Sequence, residues 1–268
     1  MKWTDEAEAA LGSVPFFVRK KVRARVEKEA AAENKKLVTL TEVKATQQRF
    51  LSGMASEIKG YQVETCFGAN GCPNRCVSGD NLVDRLKKLF QDEDILSFLN
   101  KTVAGPLKYH HEFRVAVAEC PNACSQPQIR DVSIIAAVVP GFSDEPCSSC
   151  GACVDKCREN CLTLPDDADR PKLDLESCVR CGACVHVCPT GTMISLQSGY
   201  RVQLGGRLGR HPRLARELSG LYTEDQVLSI VKECIDFYKK NSKGQRFSHL
   251  LDDEALAVFA EKTSCLGI

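Results

Sequence analysis

The chain has 268 residues, of which 43% are apolar, and its 36 basic side chains almost balance its 35 acidic ones. This balance argues against a dedicated nucleic-acid binder, and no apolar stretch reaches the ~18 to 20 residues of a membrane span. Sixteen cysteines occur without an export signal at the start of the chain. We therefore expect a cytoplasmic protein whose cysteines bind metal rather than form disulfides.

Residues 1–36 are predicted to form a small helical module. Thr4 is suited to cap a first helix, and Pro15 is suited to the first turn of a second one. In the second helix, apolar residues recur every four positions opposite a basic face: Val18, Val22, Val26 and Ala30. This pattern favours a packing or docking helix over a cofactor-binding role.

The rest of the chain is predicted to mix helices and strands in an α+β fold. Strands are expected at Val38 to Leu40, at Phe113 to Ala118 and at Ile129 to Val139. A helix is expected at Asn81 to Phe90, and another at Thr223 to Tyr238, where T-x-x-Q forms a capping box. Cys234 then lies on the buried face of the last helix, and Cys265 is a tail residue.

Two cysteine pairs lie in the first half of the chain. Five residues separate Cys66 from Cys72, and three residues separate Cys120 from Cys124. Neither spacing matches a zinc ribbon or a redox C-x-x-C. The glycines between the first two cysteines suit a backbone that approaches an inorganic cluster. On spacing alone, a metal site and buried inert cysteines both stay open.

A tandem motif follows, in which four cysteines at spacings of two, two and three recur about 31 residues later. The eight are Cys147, Cys150, Cys153, Cys157, Cys178, Cys181, Cys184 and Cys188. In two-cluster ferredoxins the fourth cysteine of each motif ligates the other cluster. We therefore predict one [4Fe-4S] cluster on the first three with Cys188, and another on Cys178, Cys181 and Cys184 with Cys157.

Two alternatives to this assignment stay open. A single such motif is also compatible with a zinc knuckle, although two in tandem favour clusters. The proline after Cys188 is replaced by Arg158 after Cys157, so that Cys161 is a possible substitute ligand. We favour Cys157 because its spacing is intact.

The tandem motif interrupts the main domain instead of following it. A strand signal ends at Pro140-Gly141, and another begins at Tyr200 to Leu204. Residues 143–196 thus form an insert, with nine acidic and five basic side chains. An acidic insert is compatible with an internal electron path and equally with docking of an external donor.

The segment after the insert is rich in arginine and glycine. Residues 197–220 hold five arginines against one glutamate, and glycines at 205, 206 and 209. Such a segment suits a ligand with several carboxylates, because arginine and backbone amides bind them. A solvated basic loop is the alternative.

The stretch F-R-V-A-V-A-E-C-P-N-A-C-S-Q-P-Q-I-R-D-V-S-I-I, residues 113–135, resembles the signature of the sirohaem-containing sulfite and nitrite reductases. The C-x5-C pair and the glycine-rich segment at 199–215 are similar to two further parts of that family. The resemblance implies a third [4Fe-4S] cluster on Cys66, Cys72, Cys120 and Cys124. It also implies that the Cys124 thiolate is shared with the iron of a sirohaem. The reductase-like domain would then comprise residues 37–142 and 197–268.

The resemblance further implies residues that bind the sirohaem and the substrate. The sirohaem-binding candidates are Cys124, Arg75, Asn122, Arg201, Gly205, Gly206, Arg207, Arg210 and His211. The candidates for anion binding or proton supply are Lys44, Lys108, His110, His111 and Arg114.

Two departures from the family pattern concern the substrate site. Glu112 stands where the family has a lysine, and the early segment V-T-L-T-E-V-K-A lacks the family's arginine. An acid at an oxyanion site would repel the substrate. Either a partner subunit completes the site, or the chain has lost sulfite chemistry.

A second resemblance covers residues 3–33, which are similar to a helical module of a light-independent protochlorophyllide reductase. We infer no chlorophyll chemistry from it.

Taken together, these features predict an oxidoreductase with three [4Fe-4S] clusters and sirohaem that reduces sulfite or nitrite. It would bind a small inorganic oxyanion, take electrons from an external donor and form a homo- or hetero-oligomer, without nucleic acid as a partner. One alternative is a non-catalytic electron-transfer subunit of a larger redox complex. Another, based on the N-terminal module, is a tetrapyrrole-handling protein.

Overall fold

The computed structural model describes residues 1–77 and 80–264, which fall into two compact units. Unit 1 comprises residues 1–58 and 104–109, and unit 2 comprises residues 59–103 and the chain from residue 110 onward. Within the described residues, no helix combines the length and the apolar character needed to cross a membrane. The domain boundaries drawn from the sequence stay predictions.

Unit 1 consists of three helices and a two-stranded parallel sheet. Its elements in chain order are β1 (Lys2–Trp3), α1 (Asp5–Gly12), α2 (Phe16–Ala32), β2 (Leu37–Val38) and α3 (Leu40–Ser56). β1 pairs with β2. The buried side chains that hold these elements together are small and apolar: Ala7, Val26, Ala30 and Val38.

The structure confirms the predicted helices of unit 1 and corrects one strand. The Thr4 hydroxyl caps α1 by accepting the N–H of Ala7, and α2 starts directly after Pro15. The strand predicted through Leu40 is wrong, because Leu40 begins α3. The N–H and hydroxyl of Thr39 donate to the Glu42 carboxylate at 2.8 and 2.6 Å, which stabilises a helical first turn.

Unit 2 is built around a five-stranded sheet with helices. Its strands are β3 (Tyr61–Thr65), β4 (Phe113–Ala118), β5 (Val132–Phe142), β6 (Leu162–Thr163), β7 (Lys172–Leu173), β8 (Met193–Leu204) and β9 (Arg216–Glu217). Its α-helices are α4 (Asp80–Asp92), α5 (Ile95–Thr102), α6 (Ala152–Lys156), α7 (Ala183–Val187), α8 (Glu224–Asn241), α9 (Phe247–Leu250) and α10 (Asp253–Ser264). Three 3₁₀ turns lie at Gly68–Asn70, Tyr109–His111 and Pro127–Ile129.

The main sheet has the strand order β3-β4-β5-β8-β9. β3, β4 and β5 are parallel neighbours, whereas β8 runs antiparallel to β5 and β9 antiparallel to β8. β4 and β5 are almost wholly buried, as their near-continuous apolar sequences require. An aromatic cluster lies beside them, in which the ring of Phe113 is 4.9 Å from that of Phe247 and 5.6 Å from that of Tyr238.

The insert extends from a long β-ribbon. β5 and β8 pair from Val132 opposite Leu204 to Phe142 opposite Met193, and the register shifts once, between Val139 and Pro140. β5 thus continues two residues beyond its predicted end at Pro140, because the irregularity in the register accommodates the proline. In the chain, the insert follows the end of β5 and precedes the start of β8. It contains the paired helices α6 and α7 and the small β6–β7 sheet.

Two predicted strand starts in unit 2 are wrong. β5 begins at Val132 instead of Ile129, because Pro127–Ile129 forms a 3₁₀ turn, and β8 begins at Met193 instead of Tyr200, because it pairs with β5 along its whole length.

The other predicted elements of unit 2 are confirmed. β4 has the predicted limits, α4 covers the predicted helix, and α8 starts with the predicted capping box of Thr223 and Gln226. Cys234 is fully buried on α8. Cys265 lies outside the described residues. The mixture of helices with parallel and antiparallel strands confirms the α+β class.

Candidate functional site

The two halves of the insert have the same local backbone. The second residue after the first cysteine of each half, Ser149 or Arg180, has a positive φ and donates its N–H to that cysteine's sulfur at 3.4 or 3.3 Å. The glycine that caps the following helix, Gly151 or Gly182, also has a positive φ, of 72° or 70°. Each half therefore curls its backbone amides around its cysteines, as an anionic cluster requires.

One cavity of the insert combines cysteines from both halves. The thiols that line it are those of Cys147, Cys150, Cys153 and Cys188, which we call the first ferredoxin set. Burial raises the pKa of Cys188, but the N–H of Met193 and the hydroxyl of Thr190 outweigh it and lower the pKa to about 7. A thiol that ionises so readily is a good metal ligand.

Four of the five remaining cysteines of the insert also lie together. Burial raises the pKa of Cys178, and the neighbouring thiols of Cys181 and Cys157 add to the rise. The pKa of Cys184 rises to about 11, through burial and the thiols of Cys181 and Cys178. We call Cys157, Cys178, Cys181 and Cys184 the second ferredoxin set. The structure therefore brings together the two groups of four that the sequence predicted as ligands.

Cys161 lies next to the second ferredoxin set. Its N–H donates to the sulfur of Cys157 at 3.3 Å, and its own thiol donates to the carbonyl of Glu159 at 3.6 Å. Burial raises the pKa of this thiol to about 11. Cys161 thus stabilises the sulfur of Cys157 through its backbone N–H.

The upstream cysteines meet at one edge of the main sheet. Cys66 directly follows β3, and Cys120 follows β4. Because these strands are parallel, their carboxyl ends lie at the same edge. The sulfur of Cys66 accepts the N–H groups of Gly68 and Glu119, each at 3.4 Å.

The other upstream cysteines differ in exposure. Burial raises the pKa of Cys120, and the nearby thiols of Cys66, Cys124 and Cys72 raise it further. Cys120 is buried, whereas Cys124 is exposed and accepts the side-chain amide of Asn122 at 2.9 Å. We call Cys66, Cys72, Cys120 and Cys124 the upstream set. One of its four sulfurs is therefore open to a further ligand.

The donor chemistry of the three sets fits iron–sulfur clusters. Each set offers four thiols, and N–H groups point at several of the sulfurs. In the described part of the chain, no three His, Cys, Asp or Glu side chains converge as they would around a single metal ion. Four thiols in each set match the four cysteines that hold a [4Fe-4S] cluster.

Arg75, a predicted sirohaem-binding residue, lies beside the upstream set. Its Nε is 2.7 Å from the carboxylate of Glu119, which is 2% exposed. A Cβ at Gly68 would collide with this same carboxylate. The ion pair therefore holds the segment after Cys72 against the loop that carries Cys120.

The arginines after the insert mostly bind protein groups. Arg201 donates to Glu217 at 2.7 Å, and Arg207 donates to the carbonyls of His211 and Ser248 at 2.9 and 2.7 Å. Arg210 and His211 are exposed. The positive balance of this segment is thus partly neutralised inside the fold, which the sequence alone did not indicate.

The glycines of this segment have structural reasons of their own. Gly205 has a φ of 80°. A Cβ at Gly206 would collide with the backbone carbonyls of Gln128 and Arg130. The backbone approach that the sequence assigned to a cofactor is, at Gly206, an approach to the chain's own backbone.

The five candidates for anion binding or proton supply are divided between the two units, and the exposed His110 belongs to unit 2. Lys44 and Lys108 are exposed side chains of unit 1. His111 and Arg114 belong to unit 2, where His111 ends a 3₁₀ turn and Arg114 lies on β4.

Glu112 does not behave as the sequence led us to expect. It is 3% exposed, and its carboxylate accepts the N–H of Lys59 at 2.9 Å and the amide of Gln62. The carboxylate thus stabilises the start of β3 instead of extending into solvent.

Sequence reasoning missed two arginines that lie close to Arg114. Burial lowers the pKa of Arg114, and the neighbouring charges of Arg246 and Arg130 lower it further. The charge of Asp131 acts in the opposite direction and raises it. Asp131 is 1% exposed, and it accepts the N–H of Arg114 at 3.0 Å and the guanidinium of Arg246 at 3.2 Å. Arg130 was within the stretch that carried the resemblance, but no local signal could connect it to Arg246.

Comparison with known proteins agrees with this geometry. Residues 59–265 match the family described as the nitrite and sulphite reductase 4Fe-4S domain. The chain belongs to this family. A member of this family is an oxidoreductase that binds iron–sulfur clusters.

Two relatives of this nitrite and sulphite reductase domain protein are sulfite reductases by name. One, from the anaerobic sulfite reductase of Salmonella typhimurium, is 28% identical over 216 residues, which cover 76% of this chain and 58% of the relative. The other, the coenzyme F420-dependent sulfite reductase of Methanocaldococcus jannaschii, is 27% identical over 175 residues, which cover 65% of this chain and 26% of the relative. The chain thus spans well under two thirds of each relative.

The N-terminal resemblance is also confirmed. Residues 3–46 match the family described as the proto-chlorophyllide reductase 57 kD subunit. A chain of the light-independent protochlorophyllide reductase of Pelodictyon phaeoclathratiforme is 52% identical over 40 residues, which are 15% of this chain and 8% of the relative.

Proposed function

We propose that this protein is a cytoplasmic sirohaem and iron–sulfur oxidoreductase of the sulfite reductase type, which acts within a larger assembly. The observation that carries the proposal is the upstream set, in which Cys120 is buried, Cys66 and Cys72 are partly buried, and Cys124 is exposed. Membership of the family and the names of both relatives support sulfite as the substrate.

The protein residues would hold three [4Fe-4S] clusters and one sirohaem. The two ferredoxin sets and the upstream set would provide four thiolates each, and Cys124 would also bind the iron of the sirohaem. When bound, the sirohaem supplies an open iron position, and the clusters supply single electrons. Arg210 and His211 are exposed and are available for the carboxylates of the sirohaem.

The residues of the chain provide orientation and charge for this chemistry. Asn122 donates a hydrogen bond to Cys124 and thereby limits the negative charge on that sulfur. We assign binding of the oxyanion to Arg114, with the positive charges of Arg130 and Arg246 nearby. The buried Asp131 accepts the backbone N–H of Arg114 and orients the guanidinium of Arg246. His111 is a candidate proton donor at the end of the 3₁₀ turn before β4.

The buried Glu112 removes one reason to prefer a non-catalytic relay. That interpretation depended on an acid facing the substrate, but this carboxylate binds Lys59 and Gln62. Sulfite-dependent oxidation of a reduced viologen dye, measured anaerobically with the cofactor-loaded protein, distinguishes the two functions. We expect turnover, and more turnover with sulfite than with nitrite. A fully loaded protein that consumes neither anion would instead be a relay.

Two cysteine variants test the role of Cys124. Cys124→Ser should lose turnover and change the tetrapyrrole absorption, because it removes the axial ligand. Cys234→Ala, which changes a fully buried cysteine on α8 away from the predicted ligands, should keep both. Equal spectra for the two variants would refute the assignment of Cys124.

A further inference from the structure

The two halves of the insert have equivalent glycines that face different surroundings. A Cβ at Gly182 would lie 3.0 to 3.3 Å from the side chain of Val138 on β5. A Cβ at Gly151 would meet nothing within 4 Å. The backbone at the two glycines is the same, with φ near 70° in each case. The second half therefore packs against the main sheet at a point where the first half is open.

Backbone contacts show the same asymmetry. The N–H of Val138 donates to the carbonyl of Arg180 at 2.8 Å, and Val138 forms a parallel β-bridge with Cys181. Cys150, which is the equivalent of Cys181 in the first half, is exposed. The loop that carries Cys150 is anchored within the insert, where the Thr192 hydroxyl donates to the carbonyl of Pro146 at 3.0 Å.

Cys76 connects the second half of the insert with the upstream set. Its N–H and its thiol both donate to the carbonyl of Glu119, at 2.9 and 3.2 Å, directly before Cys120. Burial raises the pKa of Cys76 to about 12, and the thiols of Cys120 and Cys181 raise it as well. The sheet register brings the two sets to the same edge, because Val138, which bridges to Cys181, is three residues beyond Ile135, the partner of Ala118 at the end of β4.

We propose that the two ferredoxin sets occupy different places in one electron path. Electrons enter at the first ferredoxin set through the exposed loop of Cys150, pass to the second ferredoxin set, and leave past Cys181 toward Cys120. Cys76 is a positioning residue at this last passage. Each step transfers one electron. The donor cluster is oxidised by one electron and the acceptor cluster is reduced by one electron, while no bond forms or breaks. The external reductant is a low-potential one-electron carrier, and in the test it is dithionite.

This inference rests on the proposed function, because it requires clusters on all three sets. The matched variants Cys150→Ala and Cys181→Ala each remove one ligand at the equivalent position of a half. Pulsed electron paramagnetic resonance of the reduced protein measures whether a second cluster accelerates the spin relaxation of the upstream cluster. We expect this acceleration to persist in Cys150→Ala and to be lost in Cys181→Ala. The reverse pattern, or equal loss in both, would overturn the proposed order.

A second pair of variants keeps every ligand. Gly182→Ala and Gly151→Ala impose the same backbone strain, but only the first adds an atom against Val138. In freeze-quench experiments with dithionite, we expect Gly182→Ala to reduce the upstream cluster more slowly than Gly151→Ala does. Equal rates at equal iron content would overturn the inference alone. A wild-type protein without an upstream cluster would overturn both the inference and the proposed function.

Discussion

Glu112 illustrates how one buried side chain changes the interpretation of a sequence. Its carboxylate accepts hydrogen bonds from Lys59 and Gln62 in a site that is 3% exposed. In Glu112→Gln, an amide N–H would face one of these donors. We expect the free energy of unfolding to fall by about 1 to 3 kcal/mol, as for other unsatisfied buried groups. Denaturant unfolding of the full chain measures this change.

The control for Glu112 is Asp92→Asn, which removes an exposed ion pair with Lys88. Such pairs contribute about 0 to 1 kcal/mol, so this variant should unfold almost like the wild type. If Glu112→Gln also did so, the carboxylate would not be what holds the start of β3.

Glu42 gives unit 1 a pH-dependent contribution to stability. Hydrogen bonds from Lys35 and Thr39 lower the pKa of Glu42 to about 2. A lowered pKa stabilises the fold above the unfolded value, about 4.3, and this contribution is lost as the pH falls toward 2. Glu42→Gln should therefore be less stable at pH 7, by about 1 kcal/mol or less because the carboxylate is partly solvated.

The comparison of Glu42→Gln with the wild type requires unfolding measurements at several pH values. The difference in the free energy of unfolding should be constant above about pH 5 and should shrink as the pH approaches 2. A difference that did not change over this range would contradict the assigned pKa.

Asn122 is predicted to set the electronic properties of the upstream cluster. Its amide donates to the sulfur of Cys124 at 2.9 Å, and hydrogen bonds to cluster sulfurs influence reduction potentials. Asn122→Ala should lower the reduction potential in a redox titration followed by absorption. Ser125→Ala is the control, because that hydroxyl donates to the carbonyl of Val117. A lower potential in both variants would argue against a specific role for Asn122.

At the scale of elements, the sequence predicts those helices and strands that are determined by residues close together in the chain. The capping box of α8 and the apolar run of β4 are local patterns, and both elements formed as predicted. Leu40 was assigned to the wrong element, because the hydrogen bonds of Thr39 to Glu42 favour a helix over the β-branched signal. The passage of β5 beyond Pro140 depends on pairing with β8, which no local pattern contains.

Gly206, two residues after β8, packs closely against the backbone that precedes β5. A Cβ at this position would collide with the carbonyls of Gln128 and Arg130. Gly206→Ala should therefore reduce the free energy of unfolding by about 1 to 3 kcal/mol, as overpacking does. The loss should appear in the cofactor-free protein. Gly12→Ala, whose added Cβ would meet nothing within 4 Å, is the control and should be nearly neutral.

A cofactor-based role for Gly206 gives a different result. In that case, Gly206→Ala would leave the stability of the cofactor-free protein unchanged and would weaken only the binding of sirohaem. Thermal unfolding with and without cofactor distinguishes the two explanations.

At the scale of the whole molecule, the grouping of the cysteines could be predicted and the charge around them could not. The tandem spacing defined both ferredoxin sets, because each combines short stretches of chain. The group of Arg114, Arg130 and Arg246 depends on the contacts of Asp131 with residues more than 100 positions away. Distant pairings of this kind are invisible to periodicity and to motif spacing.

The central claim is that this chain binds sirohaem through Cys124 beside a cluster. The most direct test is the absorption spectrum of the pigment extracted from protein that was purified anaerobically from a host that makes sirohaem. We expect a tetrapyrrole, together with about twelve cluster irons and one haem iron per chain. A protein with its clusters complete but without any extractable tetrapyrrole would contradict the claim.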